Sequence, residues 1–135
     1  MQLGDYLKAA MARPFAWGSH DCATLPADWV LARTPFAPDP MAAWRGRYDD
    51  ADSADAIMVA EGGLQSIWSV CCADAGFVQI GDYEVAAGDI GLCWFRGELG
   101  AQLAGSICVG PGRWAALTPT GLLVGPARSA AAWRL

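Results

Sequence analysis

Asp21 and Cys22, in the stretch FAWGSHDCAT at residues 15–24, are the residues whose types and spacing are best suited to chemistry. A thiol that follows a glycine-containing turn and opens a helix meets unsatisfied backbone N–H groups, which favour the thiolate. A thiol nucleophile also needs an imidazole to take its proton and a polar group to orient that imidazole. The chain has a single histidine, His20, two residues before Cys22 on the same turn. Two readings follow. His20, Asp21 and Cys22 form a local catalytic arrangement, with Cys22 and His20 as the candidate catalytic residues. Alternatively, His20 satisfies loop backbone groups and Asp21 caps the helix, which is the preferred role for Asp21.

Other polar residues invite the same weighing. Asp89 in GDIG is expected to be a turn residue that ties a strand start to the helix layer, in preference to a catalytic acid. Arg45 and Arg47 in WRGRYDD either bind a carboxylate-bearing ligand or pair with Asp49, Asp50 or Asp52. The five cysteines, at 22, 71, 72, 93 and 108, are odd in number and lack CxxC or Cys/His spacing. They are expected to be reduced, with no metal and no cofactor; an assembly subunit holding metal or iron–sulfur is the weakest alternative.

Composition narrows the function classes. A chain of 135 residues that is 54% hydrophobic has enough apolar mass for one core, so residues 1–135 are expected to form one domain. Net charge is −5, with no basic run, which argues against a nucleic-acid partner. No signal-like N-terminus and no 18-residue apolar run occurs, so neither a cleaved export signal nor a membrane span is expected. The seven tryptophans exceed what a core of this size needs, which predicts that some are interface anchors.

The elements that would position these residues can be read from periodicity. QLGDYLKAAMAR places Leu3, Tyr6, Leu7, Ala10 and Met11 at helical spacing before Pro14. A second helix runs from the Asp21 cap to about Arg33, burying Leu25, Trp29 and Val30, with Pro26 tolerated in its first turn. A helical turn is expected at Met41–Arg45. A third helix starts at Ser53, and a fourth buries Leu64, Ile67, Trp68 and Cys71. From about Phe77 short apolar runs between Gly-rich turns predict strands over roughly 88–95, 101–109, 112–118 and 121–125, with RGELG and GPG as hairpin turns. ARSAAAWRL reads as a docked tail with Trp133 buried. Helices first and an antiparallel sheet second predict the α+β class.

FAWGSHDCATLPADWV, followed by GDIGLCWF and AGSICVG, resembles the NlpC-type papain-like cell-wall peptidases. In that family a Trp-Gly-x-x-Asp-Cys turn opens a helix, a Gly-Asp-Ile strand follows, and a last strand commonly reads His-Val-Gly-Ile-Tyr-x-Gly. The chain more closely resembles a small group of unknown function found among tail genes of long-tailed phages and prophages. The shared residues are Arg13–Cys22, Arg45–Tyr48, Gly88–Gly91, Ile107–Gly110 and Ala132–Arg134.

The resemblance implies a papain-like NlpC-type fold with Cys22 in the nucleophile's place. It also puts Ala104 where the family's histidine stands, and the next strand, RWAAL, offers Arg113 but no imidazole, carboxylate or amide. The function implied is a tail-tip or baseplate structural component of a phage or phage-like particle, with a degenerate cysteine-peptidase fold. Its partners would be other tail-tip or baseplate proteins, with bacterial peptidoglycan as a further one, and its location the virion tail after assembly in the bacterial cytoplasm. The alternative is an active thiol hydrolase that cuts peptidoglycan peptide cross-links during genome entry, with Cys22 as nucleophile and His20 or a partner-supplied group as base.

Overall fold

Apolar residues four apart bring the first two helices together. In the computed structural model, which describes residues 1–97 and 100–135, α1 spans Leu3–Ala12 and α2 spans Thr24–Arg33. The Tyr6–Ala10 ridge of α1 is buried, and the Tyr6 hydroxyl donates to the Leu25 carbonyl of α2. Met11, expected on the same face, is exposed, because the Leu7–Met11 ridge is rotated about 100° from the one in contact. In α2 Leu25, Trp29 and Val30 are buried as expected, and Pro26 falls in the first turn, where it leaves only the Cys22 carbonyl without a helical donor after the Leu25–Asp21 bond.

The Pro-rich connector turns at Met41, whose carbonyl accepts from the amides of Trp44 and Arg45. Helix α3 spans Ala51–Ala60, two residues earlier than the start expected at Ser53. Asp50 is the cap and Ser53 its reciprocal partner in the first turn; both residue types cap, and the sequence pattern does not rank them. Gly62 and Gly63 take φ of +84° and +106° and turn the chain into α4, Leu64–Asp74, which lies at 75° to α3. Ile67 and Trp68 are buried there, together with Cys72 rather than the expected Cys71. Among the described residues no single helix is long and apolar enough to cross a membrane.

The second half forms a six-stranded antiparallel sheet: β1 Val78–Ile80, β2 Ile90–Gly97, β3 Gly100–Gly110, β4 Arg113–Thr118, β5 Gly121–Pro126 and β6 Ser129–Arg134. The protein is therefore α+β, as its sequence implies. The turn expected within RGELG falls on residues 98 and 99, outside the described residues. The strand order is β1-β6-β2-β3-β4-β5. Trp133 is buried as expected, but the segment read as a docked tail is β6, an interior strand between β1 and β2.

Side-chain alternation divides the sheet into two faces. Ile90, Leu92, Ile107, Leu117, Ala131 and Trp133 pack toward the helices. Cys93, Cys108, Trp114 and Ala132 form a smaller cluster on the other face. The sheet is also split: β2 pairs with β3 along its whole length and β4 pairs with β5 to Thr118, but β3 and β4 pair only as far as Ile107 and Ala115.

Candidate functional site

The loop ahead of α2 is built around the buried carboxylate of Asp21. Its Oδ1 accepts from the amides of Ala23 and Thr24, both at 2.9 Å, which makes it the expected cap. Its Oδ2 accepts from the Gly18 amide at 2.8 Å and from the Tyr48 hydroxyl at 2.6 Å. The Tyr48 bond joins the GSHDC turn to the RGRY segment, and burial together with this carboxylate pushes the phenol's pKa up. Gly18, at φ +84°, is required by both conformation and space, since a Cβ there would lie 2.2 Å from the Tyr48 carbonyl oxygen.

Arg45 fixes the other side of this joint. It pairs with Asp28 of α2 at 2.7 Å and with Asp39 at 2.6 Å, not with the expected Asp49, Asp50 or Asp52. Asp49 and Asp50 lie past Tyr48 and turn instead to Ser53 at the start of α3. Arg47 sits over the Trp44 ring, 5.9 Å from its centroid, and donates to the Ala43 carbonyl.

Cys22 follows this carboxylate and is half-buried. Burial first, and the neighbouring Asp21 charge second, push its thiol up to about 11, while a backbone hydrogen bond from Gly105 acts in the opposite direction. At neutral pH the group is therefore a thiol. Strand β3 crosses here at close range: a Cβ at Gly105 would lie 2.2 Å from the Cys22 carbonyl oxygen and 2.8 Å from the Trp68 ring. Only glycine lets the sheet approach this closely.

His20 is 2% exposed and points to a different part of the molecule. Its Nε2 donates to the Ala10 carbonyl of α1 at 2.9 Å, and Nδ1 has no hydrogen-bond partner among the described residues. Its own amide donates to the Ala16 carbonyl at 2.8 Å. The ring thus fastens the loop to the C-terminal end of α1. Ala104 pairs across the ladder with Cys93, so its side chain alternates away from the helix-facing Gly105. Arg113 opens β4 at an exposed position.

Cys22 borders a cleft of about 850 Å³. Phe15, Trp17, Trp44 and Tyr48 line one end, α3 and Trp68 form a wall, and Leu103 and Leu117 stand on the two lips of the sheet split. Asp52 and Asp55 border it, and no Lys, Arg or His lines it among the described residues. Sequence reading missed this cleft, whose walls come from segments far apart in the chain. Of the tryptophans it contains, 17, 44 and 68, the two not fully buried, 17 and 44, were the available signal.

The remaining cysteines are free. Burial pushes Cys72 and Cys93 up to about 12, as for small apolar side chains. No group of three potential metal ligands occurs among the described residues.

Asp89 organises a separate corner. It is 4% exposed, accepts from the Ala86 amide at 2.8 Å, and takes two bonds from the Arg134 guanidinium, at 2.9 and 2.6 Å. The expected tie to the helix layer is made instead by the preceding carbonyl: Gly88 accepts from Trp29 Nε1 at 2.8 Å and from Arg33 at 3.0 Å. Asp89 holds β6 rather than the helices.

Residues 1–135, the whole chain, match the family model described as Domain of unknown function (DUF6950), and the protein belongs to that family. No curated protein matches the chain significantly, and neither does any solved structure.

Proposed function

We propose that the protein is a structural component of the tail tip or baseplate of a phage or phage-like particle, with an NlpC-type papain-like fold whose peptidase centre is degenerate. The resemblance of its sequence to phage tail-associated chains motivates the location. The observation that carries the loss of catalysis is the setting of Cys22. Its thiol is pushed up to about 11, and the β3 residue that meets it is Gly105. Ala104, matched by sequence to the family's histidine, turns its side chain to the other face of the sheet, and the chain's only imidazole is committed to the Ala10 carbonyl. A thiol enzyme needs the reverse: a thiolate near neutral pH with a base in reach. A cleft that no longer turns over substrate is free to serve as a contact surface.

The test has two parts. Alkylation of Cys22 should be slow at neutral pH and rise only toward pH 11, and purified protein should release nothing from peptidoglycan peptides. Fast alkylation near neutrality, or turnover that disappears in Cys22→Ala, would restore the alternative of an active thiol hydrolase. Antibody-gold labelling of purified particles should mark the tail tip; particles free of the protein would refute the location.

A further inference from the structure

Strand β3 leaves part of its edge open inside the cleft. The Cys108 amide donates to the Asp89 carbonyl, and in an antiparallel ladder the residues that bond one neighbour alternate. Ser106, Ala104 and Gln102 therefore direct their backbone groups to β2, whereas Ile107, Gly105 and Leu103 direct theirs the other way. Ile107 meets Ala115 of β4, and Gly105 lies against the Cys22 carbonyl, which a Cβ there would meet at 2.2 Å. Opposite Leu103 no strand is paired among the described residues, because β4 has diverged and its Leu117 and Thr118, with Pro119 of the following turn, form the far lip. An unpaired edge beside an apolar wall is the arrangement by which proteins accept an extended peptide as an added strand.

We propose that the cleft receives an extended, apolar and basic segment of a partner protein, which adds as a strand along the β3 edge at Leu103. This rests on the reading of the cleft as a contact surface. Charge selects the occupant. Asp52 and Asp55 border the cleft, neither is in an ion pair among the described residues, and no cation lines the walls. Alternate side chains of an added strand would face the aromatic residues Phe15, Trp17 and Tyr48, whose ring faces also attract cations, beside Trp44, which already carries Arg47. Lys or Arg between apolar residues meets both demands, and an acidic segment meets neither.

The probe is a randomised decapeptide library, selected on the full chain and in parallel on Leu103→Pro. Proline at an open edge removes the outward N–H and no bond to β2, but it also replaces a side chain that packs against the core and lines the cleft. Leu103→Ala therefore serves as the side-chain control and must bind more tightly than Leu103→Pro; circular dichroism verifies the fold of both. Enriched sequences should alternate apolar residues with Lys or Arg. A synthetic enriched peptide should bind Leu103→Pro about tenfold more weakly, the effect of losing one well-made hydrogen bond. Asp52→Asn combined with Asp55→Asn should weaken it several-fold, and N-methylation of its alternate amides should abolish binding to the unmodified chain.

Equal binding to Leu103→Pro, enrichment of acidic sequences, or no enrichment over Leu103→Pro would overturn the proposal. Should Leu103→Pro fail to fold, the N-methylated peptide decides: undiminished binding overturns the proposal, and loss of binding supports it. The fate of the peptide separates this inference from the proposed function. An intact peptide leaves both standing, whereas cleavage that depends on Cys22 would sink the degenerate-centre reading and leave strand addition in place.

Discussion

Asp21 and Asp89 are both almost fully buried carboxylates, yet they are neutralised in opposite ways. Asp21 is surrounded by four uncharged donors, three backbone amides and the Tyr48 hydroxyl. Asp89 relies on one amide and on the guanidinium of Arg134, whose side chain is 43% exposed. The first arrangement is insulated from solvent ions and immobilises three segments of loop at once. The second is an ion pair at the rim, partly screened by water, that secures one strand end. The difference shows where the chain concentrates its polar order: around the turn that carries Cys22.

The comparison breaks most visibly at Asp21. Asp21→Ala leaves several buried donors unpaired and should lower unfolding free energy by about 3–5 kcal/mol in urea titrations. Asp89→Ala should cost roughly half as much, because Arg134 can turn to water and only the Ala86 amide is left without its acceptor. Raising salt should narrow the gap between Asp89→Ala and wild type but leave that for Asp21→Ala unchanged. Tyr48→Phe, which removes one of the four donors, should cost about 1–2 kcal/mol. A Tyr48→Phe effect as large as that of Asp21→Ala would mean that the phenol, not the cap, holds the turn.

A further effect, confined to high pH, is in the alkaline limb. The Cys22 thiol is raised from 9.0 to about 11 in the folded protein, so the folded state binds its proton more tightly than the unfolded chain does. The associated stability is complete below pH 9 and is lost as pH rises from there through about 11. Cys22→Ala should therefore show a shallower decline in urea midpoint over that window. An unchanged slope would mean that the thiol is not held neutral by its surroundings.

What the sequence disclosed about these two acids follows from distance along the chain. The Asp21 cap acts within three residues, so residue type and helix periodicity suffice to find it. Its bond to Tyr48 spans 27 residues, and the Asp89–Arg134 pair spans 45; no local pattern encodes either. The same limit hid β6. SAAAWR has small residues at most positions and little alternation, and it becomes a strand because two neighbours pair with it. β1 was missed because it has only three residues. His20 is expected from sequence either to serve Cys22 as a base or to satisfy loop backbone groups; its ring bonds instead to the carbonyl of Ala10 in α1, a partner ten residues away that only the fold brings near.

The interior position of β6 also dictates a schedule for synthesis. Among the described residues β1 pairs only with β6, and β2 has β3 on one side and β6 on the other. A ribosome that has released everything through β5 has therefore made a chain in which β1 has no partner and the β2 edge is open to pairing with another copy. Completion waits for Ser129–Arg134, so a growing chain is most vulnerable to aggregation just before its last strand emerges.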